Sequence, residues 1–309
     1  MRVEVRIRAA AEELGFLACG FADLAPSRRG DALDRWLANG YGGTMRYLHR
    51  QAAKRKRPAD ILPGARTAVM VLDNYYAPDP DPSAGAVRIA KYARGQDYHR
   101  DCGERLERLA AVIRESGATA VRAFVDAGPV PERELAHRAG LGWIGKNTML
   151  IRPGVGSFFF IGAVLTDLVL TSDPPFPTDH CGTCTRCLDA CPTGAFPEPG
   201  VLDATKCLSY LTIEHRGPPP EQLAPRLAGW AFGCDICNDV CPWNQRFAAP
   251  TTNPAYRDRS AIDLTDPDFF ERMSEAEFQR QFADTPLERP GLAGMRRNFR
   301  FAFSPPDPT

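Results

Sequence analysis

The run His180-Cys181-Gly182-Thr183-Cys184-Thr185-Arg186-Cys187-Leu188-Asp189-Ala190-Cys191-Pro192 constrains this chain more than any other stretch. It reads C-x2-C-x2-C-x3-C-P, a spacing that holds [4Fe–4S] cubanes. Three thiolates spaced this way reach three irons of one cluster, and the fourth, before proline, ligates the other cluster of a pair. A second set of cysteines is therefore required. Cys234-Asp235-Ile236-Cys237-Asn238-Asp239-Val240-Cys241-Pro242 supplies C-x2-C-x3-C-P, with Ala231 where a first cysteine would stand. Cys207 is the nearby candidate for the missing ligand. The crossover rule then assigns Cys181, Cys184, Cys187 and Cys241 to one cluster, and Cys191, Cys207, Cys234 and Cys237 to the other.

Two C-x2-C knuckles also suit a zinc site, but the x2-x2-x3-CP run and its partial repeat favour two cubanes. A disulfide framework belongs to small secreted chains, and this chain has 309 residues. Cys19 stands apart from any ligand spacing and reads as a small core residue.

Charges balance at 38 against 38, so no global basic field marks a nucleic-acid binder, although a local patch would suffice. The amino-terminal segment carries charges every second residue and has no signal-peptide core. No apolar run reaches the roughly 20 residues of a membrane span. A soluble cytoplasmic protein is expected.

Ahead of the cysteines, helix and strand patterns alternate. Helices are expected at Arg6–Glu13, Asp31–Asn39, from Gly42 through Leu48, at Tyr98–Glu115 and at Val130–Ala139. Strands are expected at Leu14–Ala22, Thr67–Leu72, Thr119–Val125 and Phe158–Leu165. This argues for an α/β domain over 1–172. A linker at Ser172–Pro177 opens a ferredoxin-like two-cluster module over 173–250. Amphipathic stretches at Asp266–Met273 and Ser274–Phe282 belong to a carboxy-terminal helical segment, 251–303, packing back on the core. Residues 79–85 read as a surface loop and 304–309 as a disordered tail.

Clusters move single electrons, and a free-standing carrier needs only about 60 to 80 residues. The 180 residues ahead of Cys181 are expected to house a cofactor that accepts those electrons. No G-x-G-x-x-G opens a helix and no G-x-x-x-x-G-K-[ST] occurs, so nicotinamide and nucleotide binding lack support. Asp97-Tyr98-His99 starts like the D-x-H-x-x-G of cobalamin proteins, but Cys102 occupies the glycine position. The plainer reading makes His99 a helix-start residue and Asp97 its cap.

Several stretches together resemble the epoxyqueuosine reductase family. Lys91-Tyr92-Ala93-Arg94-Gly95-Gln96-Asp97-Tyr98-His99 is similar to the family's Y-A-R-G-x-D-Y-H signature. Val125-Asp126-Ala127-Gly128-Pro129-Val130-Pro131-Glu132-Arg133, the segment Ala139 to Asn147, the cysteine pattern with Cys207, Thr285 to Arg289, and Arg297-Asn298 are similar too. Two departures stand out: a helical-repeat extension found in some members does not follow, and Val130-Pro131-Glu132-Arg133 replaces V-L-E-R.

The resemblance implies a fold like that of reductive dehalogenases and base-off cobalamin fed by the two clusters. The implied reaction reduces epoxyqueuosine at the tRNA wobble position to queuosine, the last step of its synthesis. It implies Asp126 as proton donor, at the end of an apolar strand and raised toward neutrality by burial; the plainer reading of Asp126 is a turn residue. Arg55, Asp97, Tyr98, Asp126, Lys146, Asn147 and Ser157 are the expected cofactor contacts. Gly142–Asn147 and Gly154–Ser157 are expected to let backbone approach the corrin. The basic run Arg50–Arg57 becomes a candidate RNA-backbone patch, and Trp143, Trp230 and Trp243 candidate base-stacking residues. A monomer with an external donor, flavodoxin or ferredoxin, is expected. Two other classes stay open: a corrinoid reductase of small molecules, such as a dehalogenase, and a non-catalytic electron-transfer protein.

Overall fold

The computed structural model describes residues 2–79, 86–227, 229–257 and 262–303. Residues 80–85 of the expected surface loop and the tail 304–309 lie outside the described residues. The helices are α1 (Val3–Glu13), α2 (Gly30–Ala38), α3 (Arg46–Lys56), α4 (Tyr98–Glu115), α5 (Glu132–Arg138) and α6 (Arg186–Asp189). They continue with α7 (Leu208–Ile213), α8 (Ile236–Asp239), α9 (Pro242–Phe247), α10 (Glu275–Phe282) and α11 (Gly291–Ala302). The strands are β1 (Ala18–Asp23), β2 (Thr67–Asn74), β3 (Arg88–Ile89), β4 (Val121–Val125), β5 (Trp143–Ile144), β6 (Leu150–Ile151), β7 (Phe159–Thr166) and β8 (Trp230–Phe232).

Four strands form the central sheet in the order β1-β2-β7-β4, and every pairing is antiparallel. The helix–strand alternation therefore produces a mixed α/β layer whose central sheet is antiparallel throughout. On β2, Val69 and Val71 face one core with α1 and α4, while Ala68, Met70 and Leu72 face a second core with α5. Burial on both faces explains why β2 and β7 read as unbroken apolar runs.

Helix α4 begins where Asp97 accepts a hydrogen bond from the His99 amide at 2.9 Å, the local capping that short acidic side chains favour. Its buried stripe, Tyr98, Cys102, Leu106, Leu109, Ala110 and Ile113, recurs every three to four residues. It lies against β4 and β7, with Leu106 and Leu109 fully buried.

Some bounds differ from the sequence reading. Residues 14–17 form a loop before β1, and 42–45 are a turn, so α3 starts at Arg46 and carries the basic run. Asp266–Met273 is a series of turns, because the Asp266 carboxylate accepts the Asp268 amide and offers the backbone a local alternative to helix. The real partner of α10 is α11, whose stripe Leu292, Met295, Phe299 and Ala302 packs with Phe270, Phe278 and Phe232.

The composition break at residue 172 is not a break in the structure. Asp173 accepts from Arg8 at 2.6 Å and from the Phe21 amide at 2.7 Å. Strand β3 pairs in parallel with β8, and the Lys91 ammonium meets Asp239 at 2.7 Å. The first part and the cysteine module thus share a sheet and a partly buried ion pair. Among the described residues, no helix is long and apolar enough to cross a membrane.

Candidate functional site: two thiol centres and an aspartate corner

Two short helical turns, α6 and α8, present the cysteine loops face to face. Cys181, Cys184, Cys187 and Cys241 line one cavity, together with Lys146 and Trp243. Burial pushes the Cys187 thiol up, and then the charges of Cys181, Cys241 and Cys184 push it further. Cys207, just ahead of α7, and Cys234, just after β8, pack in a second apolar cluster. Burial raises the Cys234 thiol, and the charges of Cys207, Asp235 and Cys191 add to it against a hydrogen bond from the Ile236 amide that favours the thiolate. Cys237 is raised by burial and by Cys234 and Cys207, and it also feels Cys187 across the gap between the sets. Cys241 thus lines the cavity of the first loop's thiols, and the charge of Cys191 acts on Cys207 and Cys234. Among the described residues, no group of three His, Cys, Asp or Glu side chains is set to hold a single metal ion. Cys19 and Cys102 stand apart in the hydrophobic core.

The second loop is held from outside by Lys91, which is 2% exposed. Its amide donates to Asp235 at 2.7 Å and its ammonium reaches Asp239 and Asp79. Burial opposes the Lys91 charge, but the surrounding carboxylates outweigh it and raise its pKa. Burial lifts Asp235 to about 6.

Three expected cofactor contacts are engaged elsewhere. Lys146 donates from its ammonium to the carbonyls of Gly182 at 2.6 Å and Cys184 at 2.9 Å, so it serves the first cysteine loop. Asn147, 3% exposed, donates to the Cys237 carbonyl and to Asn238. Ser157 is fully enclosed: its amide donates to Asn244 at 2.6 Å and its hydroxyl to Asn238. Asn147 and Ser157 tie the α/β layer to the second loop. The glycines near them are approached by the chain itself, since a Cβ on Gly142 would meet the Ile151 carbonyl and one on Gly156 the Asn244 side chain. Trp143 and Trp230 are buried and unavailable to stack on a base.

The remaining contacts gather at the end of β4. Asp126 follows Val125 with φ 44°, a left-handed conformation uncommon outside glycine. Its side chain is exposed, contrary to the burial expected of it. The Tyr98 hydroxyl donates to Asp126 Oδ2, and His99 Nε2 lies 4.0 Å from the same oxygen. His99 Nδ1 is 2.8 Å from Asp97 Oδ1. Burial works against a charged His99, but the Asp97 hydrogen bond and the charges of Asp97 and Asp126 raise its pKa. So Asp97 is both cap and imidazole anchor, and Tyr98 is stacked between His99 and Phe160.

Arg55, on α3, reaches this corner. Its guanidinium donates to the Gly128 carbonyl at 3.0 Å and the Val130 carbonyl at 3.2 Å, while its buried Nε has no partner. The rest of the basic run divides: Lys56 pairs with Asp34, Arg57 with Asp60, and Arg50 and Lys54 are exposed. The role of Glu132 was not legible in the sequence. It opens α5 half-buried, and burial together with the Asp126 charge pushes its carboxyl up to about 8. Tyr47 is a further neighbour without a sequence signal; burial, then Glu214 and Asp126, raise its phenol.

Residues 180–244 match the 4Fe-4S double cluster binding domain, and residues 55–127 match the family described as epoxyqueuosine reductase QueG, DUF1730. The epoxyqueuosine reductase of Cellulophaga algicola is 40% identical over 298 residues, covering 96% of both chains. That of Pseudomonas aeruginosa is 40% identical over 96% of this chain and 84% of its own. A crystal structure of epoxyqueuosine reductase with an epoxyqueuosine-modified tRNA-Tyr stem loop superposes with TM-score 0.88 at 28% identity, over 97% of this chain and 80% of that one. A Bacillus subtilis epoxyqueuosine reductase, solved with its aspartate catalytic loop swung out of the active site, superposes with TM-score 0.86 at 28% identity, over the same shares. With relatives matched at this identity over nearly their full length, and with paired thiol centres beside an aspartate corner, the chain belongs to the epoxyqueuosine reductase family.

Proposed function

We propose that this chain reduces epoxyqueuosine in the wobble position of a tRNA to queuosine. The observation that carries the reading is the 40% identity to an epoxyqueuosine reductase over 96% of both chains. Opening the epoxide to an alkene consumes two electrons and two protons and releases the oxygen as water. The fold divides these demands between the thiol centres and the aspartate corner.

Two [4Fe–4S] clusters fit the donor sets: Cys181, Cys184, Cys187 and Cys241 for one, Cys191, Cys207, Cys234 and Cys237 for the other. Each set joins four soft thiolates from both loops. An external low-potential donor, a flavodoxin or ferredoxin, supplies the electrons singly. Base-off cobalamin fits the Asp126 corner, where Arg55 has a buried Nε–H without an acceptor and Asp97, Tyr98 and Asp126 stand together. When bound, cobalamin supplies a low-potential metal centre that passes reducing equivalents to the substrate carbon.

The chain's own residues handle the proton. Tyr98 donates to Asp126 Oδ2, which leaves Oδ1 to carry the proton delivered to the departing oxygen. Once Asp126 is ionised, the same phenol and the nearby His99 stabilise the carboxylate. The exposed side chain is recharged from solvent for the second proton. Arg55 fixes the loop that follows Asp126 and thereby its aim. Arg50 and Lys54 offer exposed charge to the RNA backbone. The enzyme acts in the cytoplasm as a monomer.

Anaerobic purification with cobalamin supplied, followed by iron, sulfide and cobalt analysis and an assay on epoxyqueuosine-containing tRNA, tests the reading. About eight irons, one cobalt and conversion to queuosine are expected. Eight irons without corrin or turnover would leave an electron-transfer protein, and zinc in place of iron would overturn the cluster assignment.

A further inference from the structure

Behind the lining of the first thiol cavity lies a buried hydrogen-bond donor, on a ring packed against the lining residues Ile151 and Cys241. Trp143 opens the β5–β6 hairpin, paired with Ile151, and is 2% exposed. Its indole Nε1–H is buried and has no hydrogen-bond partner. By contrast, the Trp36 indole donates to the Leu202 carbonyl at 2.6 Å. Unpaired buried donors are rare, and each calls for an acceptor. The Trp143 ring packs with Ile151 and Cys241, and Cys181 lies against the same cluster. Trp243 and His180 stand edge-on to it, each with centroids 5.0 Å away, and fix its plane. The buried donor thus sits in a cluster whose sulfurs are those of Cys181 and Cys241.

We propose that the Trp143 indole donates an N–H···S hydrogen bond to a sulfur of the cluster held by Cys181, Cys184, Cys187 and Cys241, and so sets that cluster's midpoint potential above that of a cluster lacking the bond. The inference rests on the two-cluster reading. Reduction adds one electron from a low-potential donor such as dithionite and takes the cluster from the 2+ to the 1+ state, with no bond made or broken. The added charge sits largely on sulfur, so a rigid donor aimed at sulfur stabilises the reduced form more than the oxidised one. The Lys146 ammonium, held on the carbonyls of Gly182 and Cys184, acts in the same direction through its charge.

The test is an EPR-monitored redox titration of the anaerobically reconstituted full chain, comparing the wild type with Trp143→Phe. Both proteins are expected to hold about eight irons. One of the two reduced-cluster signals should shift so that its reduced-to-oxidised ratio at a fixed ambient potential falls about tenfold, equivalent to ~59 mV for one electron. The other signal should stay in place. Unchanged midpoints in a variant with both clusters would overturn the proposal while leaving the two-cluster reading intact. A wild type with a single cluster would overturn both. Phenylalanine leaves a gap that can cost the cluster, so a second protein carries benzothienylalanine at position 143, an isostere that keeps the ring shape and lacks the N–H. The same selective shift is expected there, and two clusters with wild-type midpoints in that protein would overturn the proposal.

Discussion

The Tyr98 phenol donates its hydrogen to Asp126 Oδ2 across the gap between the start of α4 and the end of β4. Tyr98 is fixed by the cap that starts its helix and by stacking on Phe160 with centroids 4.1 Å apart. The carboxylate in turn stands on a residue with φ 44°. The pair is thus located by one secondary-structure terminus on each side. Asp126→Asn keeps the volume and removes the acid, so turnover should fall about 10²–10⁴-fold with iron content unchanged. Tyr98→Phe keeps the ring and loses one hydrogen bond to a charged group, a loss of about 10–100-fold. Single-turnover conversion of epoxyqueuosine tRNA reads both, and full activity in Asp126→Asn would remove Asp126 from the chemistry.

What could be read from the sequence was local. The cysteine spacings and the Asp97 cap act within a few residues, and the stripe of α4 follows from its own period. The strand segments were visible as apolar runs, but their antiparallel order depends on pairings such as Val71 with Gly162, some ninety residues apart. Lys146, Asn147 and Ser157 stood in small-residue loops that suit a cofactor equally well. Only the folded chain brings Gly182, Asn238 and Asn244 to them. Helix α11 was not read from the sequence, although its stripe keeps a helical period; Arg296 and Arg297, off that stripe, donate to backbone carbonyls. The Glu132 environment arises from tertiary burial and has no sequence signature.

Glu132 makes stability depend on pH. Its ordinary pKa of 4.5 is raised to about 8, by burial first and then by the Asp126 charge. Between those values the native protein keeps a proton that the unfolded chain has released, so stability falls as pH rises. The contribution is fully present below about 4.5 and gone above about 8. Glu132→Gln has no such titration, and its thermal midpoint should decline less than the wild type's between pH 5 and pH 8. Parallel curves for the two proteins would show that Glu132 titrates normally.

Arg55 holds the loop that carries Asp126 by two backbone carbonyls, those of Gly128 and Val130. Arg55→Ala frees both, so amide hydrogen exchange across 126–131 should speed up and turnover should drop about tenfold. Arg55→Lys should not rescue it, because a single ammonium cannot reproduce the planar fork. Exchange as slow as in the wild type would assign the loop's order to other contacts.

Asn244 joins the α/β layer to the cysteine module. It accepts the Ser157 amide at 2.6 Å and donates to the Ser157 hydroxyl at 2.9 Å and the Asn238 carbonyl at 2.8 Å. Asn244→Ala leaves these buried groups without partners, so it should destabilise the protein by about 2–4 kcal/mol. Thermal unfolding of the reconstituted protein measures it, and a midpoint unchanged from the wild type would mean that water takes over the contacts.

Cys207 tests the ligand assignment most directly, because it lies outside both C-x2-C loops. It sits ahead of α7, and burial raises its thiol, with the Cys191 charge adding to the effect. The proposed assignment groups it with Cys191, Cys234 and Cys237, and it does not line the first cavity. Cys207→Ala removes one ligand of one cubane. Anaerobic iron and sulfide analysis should therefore fall from about eight of each to about four, or to about seven irons if a three-iron cluster survives. Cys241→Ala should affect the other cluster, although Cys241 belongs to the same sequence loop as Cys234 and Cys237. The two variants should thus abolish different EPR signals. Loss of the same signal in both would show that ligands are not exchanged between the loops, and full iron content in Cys207→Ala would exclude Cys207 as a ligand.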